Sequence, residues 1–419
     1  MRFNPDFYLS NQGVSNATDT LNLPRHRWYY YKEGFSPYLV EKAIESCELQ
    51  NDDIILDPFN GSGTTTLTAS VLGYKSIGIE VNPFTAFLAS SKVKNINKYS
   101  YEDDINLVLK GIEKGAESAL KGFSTFSKTS KTRKWLFNDE VLDSFAGGWN
   151  ISENILLEDT RQIIQLALII AAMKNCNATR DGKCLRYRDG WQKHNYNKES
   201  YLSSFKAISS MIIDDIIQCP VLSSYSRIYN GDARKILLEQ EIGKFKLCIT
   251  SPPYLNTFDY TDIYRPELFL GQFVKTMKDL YDLRLQTVRS HIQAKWDNPI
   301  CTNFGYIYNN YIKYINNHKN ELMSNRIPLM IQAYFEDMLG VLELLYSKAE
   351  KNAQLWFVVS NSAYANKEIP VDLIIADIAK LAGWKLKEIG VLRNIKRRKT
   401  IHSPDIQSLR ESLIILQNV

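Results

Sequence analysis

The residues best suited to chemistry form the stretch Thr250-Ser251-Pro252-Pro253-Tyr254, which follows the apolar run 245–249. Proline fixes φ and has no backbone N–H group, so the two prolines make a rigid turn that offers carbonyl acceptors. Ser251 adds a hydroxyl, and Tyr254 adds an aromatic ring. Acceptors that hold amine hydrogens and a ring that stacks on a base suit a planar substrate with an exocyclic amine. A proline turn after a strand is also ordinary loop chemistry, so other residues must decide between the two interpretations.

A glycine-rich loop well upstream provides that second signal. The predicted strand 54–57 runs into Pro58-Phe59-Asn60-Gly61-Ser62-Gly63-Thr64, and a predicted helix over 64–72 and a strand over 76–80 follow. This layout is typical of a nucleoside-binding α/β unit, in which the glycines admit the ligand and a terminal acid accepts from the ribose hydroxyls. Glu80 stands 19 residues after Gly61, close to the roughly 20 expected for that acid.

The same loop indicates which nucleoside-containing ligands it excludes. A loop that cradles a triphosphate needs a lysine, and there is none between Asp53 and Lys75. A dinucleotide would require a third glycine, which is also missing. The loop therefore favours a nucleoside without phosphates.

Together the two motifs resemble those of the S-adenosylmethionine-dependent DNA amino-methyltransferase family, over residues 25–95 and 226–419. The resemblance implies that Gly61 and Gly63 bracket the methionine part of S-adenosylmethionine, that Glu80 holds its ribose, and that Asp232 contacts its adenine. The cofactor-binding residues that it implies are Phe35, Ser36, Asp57, Phe59, Gly61, Gly63, Thr64, Glu80, Asn82 and Asp232. The catalytic residues that it implies are Ser251, Pro252, Pro253 and Tyr254.

Serine at the first catalytic position resembles the subgroup that methylates the N4 amine of cytosine in a flipped-out base. N6-adenine methylation is the alternative, because a hydroxyl does not by itself tell one amine from the other, and an RNA amine methyltransferase is a further one. Methylation of the cytosine 5-carbon would need a cysteine nucleophile, whereas Cys248 lies inside the predicted strand. The cofactor motif precedes the catalytic motif, the reverse of the usual order among Ser-Pro-Pro-Tyr enzymes, so the subclass stays open.

Alternating strand and helix patterns predict an α/β fold of the Rossmann-like class I methyltransferase type, with a doubly wound, mostly parallel sheet and a largely helical insert. In the C-terminal part we predict helices over 334–346 and 371–381 and strands over 355–359, 385–392 and 411–417. We expect an N-terminal arm (1–24), a catalytic domain (25–95 and 226–419), a helical insert (96–225) as first candidate for target recognition, and a second insert (277–330) as the other candidate. Gly61 and Ser251 both follow the carboxyl ends of strands, so one crevice should hold both.

Two basic segments, residues 179–194 and residues 393–399, are candidates for phosphate contact. The candidate DNA-binding residues are Arg180, Lys183, Arg186, Arg188, Trp191, Arg393, Lys396, Arg397 and Arg398. A solvated charged loop explains the first segment equally well. Double-stranded DNA is the expected partner, and a cognate restriction endonuclease is a further candidate.

Composition bears on three further properties of the protein: polyanion binding, the state of its cysteines and membrane association. The 419 residues carry a net charge of +5, so a site for a polyanion must come from local clustering rather than overall field. Six cysteines without a CxxC pair suggest reduced thiols and no metal site. No signal peptide and no run of about 18 apolar residues is found. We therefore expect a cytoplasmic protein of a prokaryote, with no membrane partner.

Overall fold

The computed structural model describes residues 2–5, 7, 14–181, 184–223, 225–397 and 401–419. Its strands are β1 (Arg2–Asn4), β2 (Ile54–Asp57), β3 (Lys75–Glu80), β4 (Ala178–Asp181), β5 (Cys184–Tyr187), β6 (Ser226–Asn230), β7 (Phe245–Thr250), β8 (Ala349–Ser360), β9 (Ser362–Tyr364), β10 (Lys367–Ile369), β11 (Lys385–Lys396) and β12 (Ser408–Gln417). Its α-helices are α1 (Pro37–Glu45), α2 (Thr64–Val71), α3 (Pro83–Lys92), α4 (Lys98–Lys114), α5 (Asp139–Ser152), α6 (Glu158–Lys174), α7 (Lys198–Gln218), α8 (Ala233–Glu239), α9 (Tyr260–Ile263), α10 (Arg265–Leu270), α11 (Met277–Arg284), α12 (Tyr306–Asn317), α13 (Ile327–Lys348) and α14 (Val371–Leu381).

The central sheet of the described residues has eight strands in the order β1-β11-β12-β8-β7-β2-β3-β6. Strands β8, β7, β2, β3 and β6 run parallel to one another. Strand β1 is parallel to β11, and β12 is antiparallel to both β8 and β11. From β2 the chain moves outward to β3 and β6, and it then returns to β7 on the other side of β2. The switch point of the sheet therefore lies between β2 and β7, where ligands of such folds bind.

Both faces of this sheet are covered by helices. Successive residues of a strand point to opposite faces: Leu56 and Cys248 pack in the apolar core that contains α13 and α14, whereas Ile55 and Leu247 pack in the core that contains α1 and Ala69 of α2. This alternation confirms the prediction of a doubly wound, mostly parallel sheet.

A third apolar core holds the 96–225 segment. Helices α4 to α7 pack together there, and α6 is buried over most of its length because its sequence is apolar on nearly every side. The same core includes Phe84 of α3 and Leu268 of α10. The insert thus shares its interior with residues on either side of it in the sequence.

The predicted elements match the structure, with ends shifted by a few residues, except at the N-terminus. Residues 1–24 are expected to be an unpacked arm, but Arg2–Asn4 pairs with β11 as an edge strand and Val14 is buried. Pairing at a sheet edge depends on backbone groups, which leave no side-chain pattern in so short a strand. Within the part of the chain that the structure describes, no helix has the length and apolarity needed to cross a membrane.

Candidate active site

A cavity of about 450 Å³ opens at the carboxyl ends of β2 and β7, a volume within the range of small-molecule sites. The residues lining it include Tyr31, Glu33, Phe35, Asp57, Phe59, Gly61, Thr64, Glu80, Asn82, Asp232, Ser251, Pro252, Pro253, Tyr254, Tyr260, His291, Arg393 and Glu411. The predicted cofactor loop and the predicted catalytic stretch thus share one cavity. Ser36 and Gly63 are not among the residues identified as lining it.

The glycine loop has a backbone that side chains would obstruct. Gly61 has a φ of +50° and a Cβ there would lie 3.1 Å from the Tyr31 ring, while Gly63 has a φ of +85° and a Cβ there would lie 2.8 Å from the Ala89 Cβ. Residues with side chains rarely adopt this conformation. Gly63 lets α2 start against α3, and Gly61 leaves the loop open toward the cavity.

Glu80, at the end of β3, closes the other side of the loop. Its two carboxylate oxygens accept from the backbone N–H groups of Gly61 and Asn82, each at 2.8 Å. Burial raises the pKa of Glu80 to about 7, although these two donors oppose the shift. Each oxygen keeps a second acceptor site, so Glu80 is able to take two hydroxyl donors from a ribose.

Asp57 connects the two motifs. Its carboxylate accepts from the Phe59 N–H group at 3.0 Å, and from the hydroxyls of Thr65 and Thr250, each at 2.7 Å. Burial raises its pKa to about 6, with the same hydrogen bonds opposing the rise. Because Thr250 precedes Ser251, Asp57 fixes the catalytic stretch relative to the cofactor loop.

Other predicted cofactor residues organise helix starts around the cavity. Ser36 caps α1 by accepting from the Tyr38 N–H group at 3.1 Å, and its hydroxyl donates to Asp19. Asn82 caps α3. Asp232 caps α8 and also pairs with the guanidinium of Arg234, at 2.8 Å from Nη2.

The catalytic stretch forms the wall opposite the cofactor loop. The Ser251 hydroxyl lies 3.3 Å from the Tyr254 hydroxyl, which donates to Glu411 Oε1 at 2.8 Å. Glu411 in turn accepts from Arg393 Nε at 2.6 Å. Asn256, Asp259 and Tyr260 follow this stretch; Asp259 caps α9 and pairs with Arg284 at 2.6 Å.

Several cavity residues are missing from the sequence-based set, namely Tyr31, Glu33, His291 and Glu411. Tyr31 stacks on Tyr264 with ring centroids 5.5 Å apart, and Glu33 accepts from the Tyr264 hydroxyl at 2.7 Å. The aromatic run before Gly34 was a signal for these two, although core packing explained it as well. Glu411 had no local signal, since only the register of β11 and β12 places it opposite Arg393.

Three of the candidate DNA-binding residues are part of the interior. The Arg180 guanidinium pairs with buried Glu267 at 2.8 Å and lies over the rings of Tyr29 and Tyr264. Arg188 donates to the Cys176 carbonyl at 2.9 Å. Trp191 is buried with its ring edge-on to Trp135. These contacts give all three side chains a structural role.

The remaining candidates are more accessible. Arg186 is exposed, with its Nε 3.4 Å from Asp181, and Lys396 is exposed on β11. Arg397 is half-buried and donates to the Ser403 carbonyl at 3.3 Å. Arg393 lines the cavity itself. Lys183 and Arg398 lie outside the described residues.

The charges of the cavity fit a cationic nucleoside. The charged side chains lining it are the acids Glu33, Asp57, Glu80, Asp232 and Glu411 and the bases Lys32 and Arg393. Such a lining favours a cation and disfavours a ligand that carries phosphates. S-adenosylmethionine, a sulfonium nucleoside without phosphates, fits the loop, the ribose-accepting acid and this charge.

The glycine loop and the Ser251–Tyr254 stretch line one cavity at the switch point of a doubly wound sheet, which is the arrangement of a class I methyltransferase fold. The family model described as DNA methylase matches residues 6–90. The chain is thus similar to DNA methylases over these residues and to Type II methyltransferases over most of its length, and its cofactor is S-adenosylmethionine.

Curated relatives align over nearly the whole chain. It is 28% identical to the Type II methyltransferase M.BsoBI of Geobacillus stearothermophilus, over 90% of this chain and 81% of that protein. It is 26% identical to the Type II methyltransferase M.AvaI of Nostoc sp. PCC 7120, over 88% and 81% respectively. Among solved structures, the SAM-dependent methyltransferase from Agrobacterium tumefaciens matches at a TM-score of 0.30 and 9% identity, over 93% of this chain and 65% of that one.

Proposed function

We propose that this enzyme transfers a methyl group from S-adenosylmethionine to the exocyclic N4 amine of cytosine in a base flipped out of duplex DNA. The observation that carries the proposal is the shared cavity, in which Gly61 and Glu80 face Ser251 and Tyr254. An amine inside a duplex is paired, so the base must leave the stack to reach this cavity.

The chain's own residues act mainly by positioning. The amine of cytosine is a poor nucleophile because its lone pair is delocalised into the ring. The Ser251 hydroxyl and the Pro252 carbonyl accept the two amine hydrogens, which favours a more tetrahedral nitrogen with its lone pair directed at the cofactor side. Tyr254 stacks on the base, and closure of the cavity excludes water. When bound, S-adenosylmethionine supplies the electrophilic methyl group.

Cys248 does not fit a covalent route through the cytosine 5-carbon. It lies within β7 and is fully buried, and burial raises the pKa of its thiol well above the ordinary value. A thiol held in this way is a poor nucleophile. The position of Ser251 and the burial of Cys248 together support transfer to nitrogen.

For reading the target base, the structure supports the second insert over the first. Residues 283–291 of the second insert supply several of the described residues that line the cavity, whereas the described residues of the 96–225 segment supply none of those identified. Gln286, Thr287 and Ser290 are among these lining residues, and their amide and hydroxyl groups are suited to hydrogen bonding with a base. The 96–225 segment remains a candidate for contacts with the flanking duplex.

The relatives named Type II methyltransferases support a role as the modification enzyme of a restriction–modification system. A restriction endonuclease that cuts the same site would be the genetic partner. Chromosomal DNA as the substrate would place the enzyme in the prokaryotic cytoplasm.

The test is methyl transfer from labelled S-adenosylmethionine to unmethylated plasmid DNA, followed by digestion to nucleosides and identification by mass. We expect N4-methylcytosine. N6-methyladenine would retain the amine chemistry but overturn the choice of base. Label that moves to RNA and not to DNA would overturn the DNA substrate.

A further inference from the structure

A chain of polar side chains leads from the catalytic serine to an ion pair between buried Glu411 and half-buried Arg393. The Tyr254 hydroxyl stands between Ser251, at 3.3 Å, and Glu411, at 2.8 Å. Glu411 is only 2% exposed, and it lies directly across the β11–β12 pairing from Arg393. Arg393 donates to both carboxylate oxygens of Glu411, at 2.6 Å from Nε and 3.4 Å from Nη2.

The chemistry of these groups sets the direction of the hydrogen bonds. An ionised carboxylate only accepts, and a tyrosine hydroxyl has a single hydrogen to donate. Burial raises the pKa of Tyr254, and the charge of Glu411 raises it further, so the phenol keeps its proton. Tyr254 therefore donates to Glu411, and its oxygen is left to accept the hydrogen of Ser251. The lone pairs of Ser251 then remain for another donor.

We propose that Glu411 is a positioning residue for methyl transfer, which acts through Tyr254 to make the Ser251 hydroxyl an acceptor for the target amine. The inference rests on the proposed function, in which the amine lies against Ser251. A serine hydroxyl that rotates freely presents its own hydrogen to the amine part of the time. Glu411 removes that unproductive orientation, and its bond to the phenol also holds the Tyr254 ring where a base stacks.

A purely structural role for Glu411 makes a different prediction. If Glu411 served only to neutralise Arg393 and join β11 to β12, its loss would act independently of the Tyr254 hydroxyl. If Glu411 acts through that hydroxyl, Tyr254→Phe already removes the effect of Glu411 on Ser251. A further change at Glu411 then causes no additional loss in the rate of methyl transfer. A double-mutant cycle separates the two roles.

Glu411→Gln is the informative variant. Its amide oxygen would face Arg393, and its NH2 group would face Tyr254 and donate to the phenol oxygen. The phenol hydrogen then turns toward Ser251, and Ser251 presents its hydrogen to the amine. Glu411→Gln therefore reverses the direction of these hydrogen bonds. It keeps the size of the side chain but removes the acceptor for the Tyr254 hydroxyl.

The experiment measures the single-turnover rate of methyl transfer to saturating plasmid DNA, for the wild type, Tyr254→Phe, Glu411→Gln and the double variant. We expect each single variant to be about 10- to 100-fold slower, as for loss of a hydrogen bond to a charged group. The double variant should be no slower than Tyr254→Phe alone. The dissociation constant for S-adenosylmethionine should stay within about twofold of the wild type, since these residues face the target amine.

Asp372→Asn is the matched control. Asp372 is fully buried and pairs with Arg410, the neighbour of Glu411 on β12, at 2.7 and 2.9 Å, but it does not line the cavity. Loss of this ion pair should lower stability and leave the transfer rate of the folded enzyme unchanged.

Two results would overturn the inference while the wild type still methylates an amine. One is an equal slowing by Glu411→Gln with and without the Tyr254 hydroxyl. The other is a wild-type rate for Tyr254→Phe. This result would overturn the positioning role of Glu411 even if Glu411→Gln does not fold. Product analysis of the wild type alone tests the proposed function, and a product other than a methylated amine would overturn both.

Discussion

At the scale of single residues, Ser251 carries the most specific prediction. Ser251→Ala removes one of two acceptors for the amine and leaves the Pro252 carbonyl in place. We expect the single-turnover rate to fall about 10- to 100-fold, with little change in cofactor affinity, measured by transfer assay and calorimetry. Cys248→Ala is the companion variant and should retain the wild-type rate. If Cys248→Ala lost methyl transfer and Ser251→Ala kept it, the result would indicate methylation of the cytosine 5-carbon.

Glu80 makes a prediction about pH. Its pKa is raised by burial to about 7, so the carboxylate that accepts from ribose hydroxyls is mostly protonated below that value. Affinity for S-adenosylmethionine should therefore rise with pH and level off above neutrality, with binding roughly tenfold weaker at pH 6 than at pH 8. Calorimetric titration over this range checks the expectation.

Glu80→Gln supplies the control for this titration. The amide does not ionise, so the variant should bind the cofactor weakly and with a much flatter pH dependence. An unchanged slope in Glu80→Gln would assign the titration to another group, such as Asp57, whose pKa burial raises to about 6.

At the scale of elements, the loop after the catalytic stretch is strained. Thr257 has a φ of +64°, which is unfavourable for a β-branched residue, and its N–H group donates to the Ser290 carbonyl at 3.0 Å. Thr257→Gly should raise the free energy of unfolding by about 1 kcal/mol and lower the rate of methyl transfer, because the loop loses its fixed shape beside the cavity.

Gln272→Gly is the control for strain alone. Gln272 also has a positive φ, of 58°. The neighbours of Thr257, Asn256 and Phe258, line the cavity, whereas neither Gln272 nor its neighbours are among the residues identified there. Replacing Gln272 should stabilise the protein without slowing transfer, as thermal unfolding and kinetics would show. A rate unchanged in Thr257→Gly would mean that the strain has no part in catalysis.

The sequence allowed local elements and motifs to be predicted, because each depends on neighbouring residues. Ser36 before Pro37 is a pattern typical of a helix start, and α1 begins there. Gly61 and Glu80 signalled the nucleoside loop between β2 and β3. The partnership of Glu411 with Tyr254 was not predictable in this way. It depends on the register of antiparallel β11 and β12 and on their return beside β8, which only the folded sheet determines.

At the scale of the whole molecule, buried charge ties the insert to the segment before α1 and to α10. Asp215 of α7 is fully buried and accepts from the Arg25 N–H group and the Trp28 indole, at 2.9 and 3.0 Å, while Arg27 pairs with it at 2.6 Å. Arg180 pairs in a similar way with Glu267. Removing one partner of such a pair leaves an uncompensated charge, so these contacts fix the insert against the segment before α1 and against α10.

Arg180 and Arg186 lie on β4 and β5, which pair as an antiparallel hairpin. Replacing each arginine should have opposite effects on stability and on DNA binding. Arg180→Gln leaves the buried Glu267 without its cationic partner and should lower the free energy of unfolding by about 3–5 kcal/mol. The dependence of DNA binding on salt should not change. Arg186→Ala, at an exposed position, should leave stability unchanged; if Arg186 contacts a phosphate, the salt slope of DNA binding falls by about 1. Denaturant unfolding and DNA titrations at several salt concentrations measure both quantities. A reduced salt slope in Arg180→Gln would show that its guanidinium reaches DNA despite its burial, and would make the insert a mobile element that rearranges on the duplex.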